Sequence, residues 1–136
     1  MVEFIKWSER FSLNIELIDK QHKQLIYLIN QLYDNMKNGN SKNILEKTID
    51  ELCEYTKVHF KEEEKIFEKY GYIDTVEHKE SHQIFINEIV NFKKMFNENK
   101  VTVSSKILLY LRDWLYDHIL KTDKKYIPFM LENKIK

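Results

Sequence analysis

Five histidines stand at positions 22, 59, 78, 82 and 118, and the chain has no others. An imidazole relays protons near neutral pH or binds a metal. His59 and Glu63 are four residues apart, as are His78 and His82, so on a helix each pair projects from one face about a turn apart. A single inward histidine is more often a hydrogen-bonded core residue than a ligand. Five together are a different matter, since every buried ring needs a partner that an apolar core does not offer. Glu63 is the carboxylate expected among them. Glu62 competes with it, three residues from His59, but the stripe through Thr56, His59, Ile66 and Tyr70 favours Glu63. Glu62 and Glu64 read as a solvated helix face. Asp123 follows His118 by five residues, about 140° around a regular helix, which is too far to share a face. A widened π-type turn or an early helix end is therefore expected between them.

Seven such ligands without a cysteine exceed one tetrahedral zinc site. Imidazole mixed with carboxylate suits iron or manganese at higher coordination number. If Glu63 and Asp123 each bridge two ions, five nitrogens remain to be divided three and two. One ion then keeps an open position, where a small molecule such as dioxygen attaches.

The elements that must bring these residues together are helices. His22, Leu25, Ile29, Leu32 and Met36 mark the inward face of a first helix over about Ile18 to Lys37, ended by Asn38-Gly39-Asn40. Ser41 is an expected N-cap for a second, about Lys42 to Tyr70, with Leu45, Ile49, Leu52, Thr56, His59, Glu63, Ile66 and Tyr70 inward and Gly71 closing it. A third runs from about Thr75 to Asn97 with His78, His82, Phe85, Ile89, Phe92 and Phe96 on one face, and Asn97-Glu98-Asn99-Lys100 makes the next turn. Ser104 or Ser105 is expected to cap a fourth carrying Ile107, Leu111, Trp114 and His118. A short tail helix around Lys124–Glu132 follows, with Pro128 tolerable near its start. Met1–Glu16 lacks a helical period and reads as an extended arm anchored by Phe4, Trp7, Phe11 and Leu13.

Four helices joined by short connections predict an all-α, antiparallel up-down-up-down bundle with an extended N-terminal arm and a short C-terminal helix. Residues equally distant from a hairpin turn lie at the same height. His22 then faces His59, Glu63 lies level with His82, His82 with His118, and His78 with Asp123. All seven side chains meet in one layer at one end of the bundle.

Length and composition agree. The 136 residues suit one domain, 1–136, with one core. Two glycines and one proline argue against a turn-rich β fold. Basic and acidic residues number 22 each, which gives no electrostatic case for nucleic acid or an anionic membrane. No uncharged run approaches the ~20 residues of a membrane span. Met1–Phe11 carries Glu3, Lys6, Glu9 and Arg10, unlike a secretory signal, and the single Cys53 reads as a small core residue in a reducing compartment, so a cytoplasmic protein is expected. No surplus apolar face is evident, and a monomer is expected.

The pattern His22, then His59-Phe60-Lys61-Glu62-Glu63, then His78-Lys79-Glu80-Ser81-His82, then His118 with Asp123, resembles the hemerythrins. Trp7 followed by Ile18-Asp19-Lys20-Gln21-His22 is similar to their bacterial single-domain members. The resemblance covers nearly the whole chain. It implies two iron ions in a non-haem, oxo- or hydroxo-bridged centre that binds dioxygen reversibly, for storage, delivery or sensing, without net chemistry. By that analogy His78, His82 and His118 hold one iron, His22 and His59 the other, and Glu63 and Asp123 bridge them. It also implies an apolar oxygen pocket, which Leu25, Phe60, Trp114, Leu115 and Ile119 supply here, and a tyrosine near the site at Tyr126. Di-iron oxidases use more carboxylates and fewer histidines, so a binding protein is expected rather than an enzyme acting on peroxide, nitric oxide or an oxidisable substrate.

Overall fold

Where apolar residues recur every three or four positions without a proline, the chain is helical. A computed structural model describes residues 4–39, 42–97 and 103–134. It contains α1 (Glu16–Lys37), α2 (Lys42–Tyr70), α3 (Thr75–Asn97), α4 (Val103–Asp117) and a short α5 (Ile127–Glu132), and among the described residues there is no strand. Successive long helices pack side by side, and α4 closes back on α1. The result is an antiparallel four-helix bundle. No described helix is long and apolar enough to cross a membrane.

The turns follow from backbone conformation. Gly39 and Gly71 have φ of +65° and +70°. A Cβ at either would meet nothing within 4 Å, so glycine is needed for the left-handed backbone and not for space.

The expected inward stripes largely hold. His22, Leu25, Ile29 and Leu32 of α1 are buried, as are all six inward positions named for α3. Met36, Leu45 and Trp114 are only half-buried. On α2 the stripe departs from expectation at its end. Inward steps run from Thr56 to His59 to Glu63 and then to fully buried Phe67, leaving Ile66 half-buried and Tyr70 40% exposed. A further four-residue step keeps a 3.6-residue period in phase, whereas a three-residue step to Ile66 drifts toward the flank.

Helix starts differ from expectation in three places, the third being α5, which begins at Ile127 and not near Lys124. α1 begins at Glu16, two residues before Ile18, and α4 begins at Val103, so Ser104 and Ser105 fall inside its first turn and not ahead of it. The Ser41 cap and the turn residues 98–100 lie outside the described residues. At the carboxyl end, Asp123–Tyr126 forms a 3-10 turn and α5 follows with Pro128 in its first turn, where no helical hydrogen bond is lost.

The arm lies on the bundle and includes a 3-10 turn at Glu9–Phe11. Ile5, Phe11, Leu13 and Ile15 are buried. Two clamps hold it. The buried Asn30 side chain accepts from the Ile5 backbone N–H and donates to the Ile5 carbonyl, both at 2.8 Å. The Asp19 carboxylate accepts from the Leu13 backbone N–H at 2.8 Å and from the Ser12 hydroxyl.

Apolar burial falls into two clusters. The larger fills the bundle from Ile5 and Leu32 to Leu115 and Ile119. The smaller is a cap in which Leu13, Ile15 and Ile18 meet Phe67, Tyr72, Tyr126 and Met130. Between the two lies a buried polar layer.

Truncating Asn30 leaves a buried N–H and carbonyl of the arm without partners, each worth roughly 1–3 kcal/mol. Asn30→Ala is expected to lower unfolding stability by about 2–4 kcal/mol in urea with the slope unchanged. An unshifted midpoint would show that the arm is not clamped there.

Candidate metal centre

Every histidine of the chain reaches the polar layer. His22, His59, His78, His82 and His118 are at most 3% exposed, and Glu63 and Asp123 are wholly buried. α1 supplies His22, α2 supplies His59 and Glu63, and α3 supplies His78 and His82. The hairpin pairs expected from register meet. The His22 and His59 rings are 5.1 Å apart between centroids, as are those of His82 and His118.

Asp123 arrives by the irregularity its spacing demanded. Residues His118–Thr122 form a π turn, and the Asp123 backbone N–H donates to the His118 carbonyl five residues back. That wider turn brings Asp123 under His118, with Oδ1 2.9 Å from Nε2.

The two carboxylates face two ways at once. Oε1 of Glu63 lies 2.9 Å from Nε2 of His78 and 3.1 Å from Nε2 of His82, while its Oε2 lies 3.5 Å from Nε2 of His59. Oδ1 of Asp123 approaches His78 at 3.1 Å as well as His118, and its Oδ2 lies 3.1 Å from Nε2 of His22. One oxygen of each therefore faces the group His78, His82 and His118. The other faces His22 and His59. Ligand atoms of Glu63, His78, His82 and His118 lie within 4.8 Å of one another, as do those of His22, His59 and Glu63.

These contacts are close, but most lack hydrogen-bond geometry. Nε2 of His22, His59, His82 and His118 and both oxygens of Asp123 are buried with no hydrogen-bond partner among the described residues. Buried polar atoms are ordinarily satisfied. A set of nitrogens and carboxylate oxygens converging with so few mutual hydrogen bonds is the pattern of a coordination site, and its donor types fit a cation of middling hardness.

Electrostatics within the layer are tightly balanced. Burial and the Asp123 charge push the Glu63 carboxyl up, but the hydrogen bond with His78 and the close approach of His82 and His59 outweigh them and hold it below the usual carboxylate range. Asp123 is likewise raised by burial and drawn well below its ordinary value by His118, His22 and His78. Burial lowers His59 to about 4 and also lowers His118. His78 is lowered by burial but sits against both carboxylates, which carry it up to about 9. All but one of the displaced imidazoles are thus kept neutral, as ligands must be.

Two supporting residues were not assigned from the sequence, and a third, Tyr126, was expected near the site without a stated contact. Glu64, expected to be solvated, is half-buried and accepts from Nδ1 of His82 at 2.8 Å. The register that sets Glu63 level with His82 sets Glu64 level with Ser81, beside His82, and that was the available signal. Gln21 Oε1 lies 2.7 Å from Nδ1 of His59, and the Gln21 amide nitrogen donates to exposed Glu62. Tyr126, buried in the apolar cap, donates its hydroxyl to Oε2 of Glu63 at 3.2 Å.

Of the apolar residues expected around the site, Phe60 and Trp114 stack on histidine rings of the layer. Phe60 stacks on His82 at 3.7 Å with planes 2° apart, and Trp114 stacks on His118 at 4.4 Å. Leu25, Leu115 and Ile119 are buried in the larger core that floors the layer. Cys53 is buried in the same core, and burial raises its thiol.

Comparison with known proteins agrees with this geometry. Residues 13–130 match the family model described as the hemerythrin HHE cation binding domain. A bacteriohemerythrin of Methylococcus capsulatus is 36% identical over 118 residues, covering 87% of this chain and 89% of that protein. One from Clostridium acetobutylicum is 32% identical over 125 residues, covering 89% and 97%. A crystal structure of wild-type hemerythrin superposes with a TM-score of 0.85 at 33% identity, covering 92% of this chain and 96% of that one.

A metal that binds only the folded chain stabilises it by about 2.7 kcal/mol at a hundredfold excess over its dissociation constant. Ferrous loading is expected to raise the unfolding midpoint and a chelator to reverse the rise. Glu63→Ala, which removes one of the two carboxylates that face both halves, is expected to hold at most one iron per chain by elemental analysis. Two irons retained in that variant would contradict the shared role of Glu63.

Proposed function

The chain belongs to the hemerythrin family, and from that premise we propose that it binds dioxygen reversibly at a di-iron centre. His78, His82 and His118 would hold one iron and His22 and His59 the other, with Glu63 and Asp123, each offering an oxygen to either group, serving both. The chief support is the two-way orientation of the carboxylates, each with one oxygen toward either group of imidazoles. The relatives' name, bacteriohemerythrin, points the same way. Two bound irons would supply reversible electron exchange with dioxygen.

The chain's own residues would set the conditions for that exchange. The five imidazoles bring no negative charge, and Glu63 and Asp123 supply two, fewer than the carboxylate-rich sites of di-iron oxidases. That balance favours a centre that takes up dioxygen and gives it back. Phe60, Trp114, Leu115, Ile119 and Leu25 would surround the layer with carbon and exclude water and stray protons from it. The Tyr126 hydroxyl holds Glu63 from the cap side and fixes which oxygen faces which group. Storage and delivery share these requirements.

Anaerobically reduced, iron-loaded protein exposed to air is expected to gain a visible absorption band that disappears on degassing, through repeated cycles. Irreversible bleaching to a ferric product with peroxide in solution would favour an enzyme over a carrier.

A further inference from the structure

Glu62, Glu63 and Glu64 are consecutive on α2, and their carboxylates go to three different places. Glu63 turns inward. Glu64 accepts from Nδ1 of His82 at 2.8 Å. Glu62 takes the Gln21 amide nitrogen, and the Gln21 oxygen lies 2.7 Å from Nδ1 of His59. A carboxylate only accepts, so Glu62 obliges Gln21 to present oxygen, not nitrogen, to His59. Nδ1 of both rings then carries hydrogen, and Nε2 of both offers its lone pair to the interior. The Glu62-Glu63-Glu64 run thus fixes two ligand tautomers and supplies a third ligand.

The two supports differ in strength. His82 meets a carboxylate directly, and His59 meets a neutral amide. A charged acceptor makes the stronger hydrogen bond and leaves more electron density at the opposite ring nitrogen. We infer that Glu64 and the Glu62–Gln21 pair are positioning residues that render the two metal positions electronically unequal, so that the ion beside His82 gives up an electron at a lower potential than the ion beside His59. This rests on the di-iron reading above. Glu64 lines an open cleft of about 550 Å³ between α2 and α3 with Phe60, Lys61 and His82. The Glu62–Gln21 pair lines a second open cleft, of about 410 Å³, with His59.

The test is a mediated redox titration of the iron-loaded chain, in which each step moves one electron between iron and mediator. Glu64→Gln keeps shape and an acceptor but removes the charge. It is expected to raise one of two one-electron steps by a tenfold change in ferric over ferrous preference, about 59 mV, and leave the other in place. Glu62→Gln frees the Gln21 amide to turn and is expected to move the other step. Glu64→Ala is expected to weaken ferrous iron binding at one site by about 10- to 100-fold. Two steps that move together in Glu64→Gln, or that do not move while iron content and helicity are unchanged, would overturn the inference. A wild-type chain that binds two irons but not dioxygen would remove the carrier reading alone, since the unequal steps are read without dioxygen.

Discussion

Two carboxylates stripped of all contact with solvent are the costly feature around which the bundle is organised. An isolated buried carboxylate is penalised by many kcal/mol unless charge and hydrogen bonding compensate it. Glu63 and Asp123 are wholly buried at one level, and the Asp123 charge raises the Glu63 pKa. Five imidazoles and a phenol surround them. The compensation works only if side chains from positions 22 to 126 arrive together, so helix register, turn length and the tail all follow from it.

The π turn at His118–Thr122 shows the constraint acting on the backbone. A regular helix would carry Asp123 about 140° away from His118. One widened turn moves it back, and the chain then tightens into the 3-10 turn Asp123–Tyr126, which delivers the Tyr126 hydroxyl to Glu63. The apolar cap of Phe67, Tyr72, Tyr126 and Met130 closes the layer from above, as the larger core does from below. Both covers keep the dielectric low, which strengthens every interaction within the layer. The same seclusion would serve a centre that must exchange dioxygen without losing charge to water.

Much of this was legible in the sequence, and for identifiable reasons. Histidines on core stripes, few glycines and short connections define the bundle, and equal distances from each turn define which residues meet. The five-residue gap after His118 required an irregular turn, since no regular helix serves. What remained hidden depends on small rotations about a helix axis. The α2 stripe drifts so that Phe67 is buried and Tyr70 exposed, and Glu64 swings from an expected solvated face onto His82. Gln21 acquires its orientation only through Glu62 on a neighbouring helix. Such sideways contacts have no period along the chain.

The claim beneath all of this is that the convergent side chains hold two irons side by side. X-ray absorption at the iron edge of the loaded chain tests it most directly. The account predicts a metal–metal scattering vector together with a nitrogen shell of between two and three imidazoles per iron on average. Iron with no metal neighbour, or a shell of oxygen alone, would contradict it.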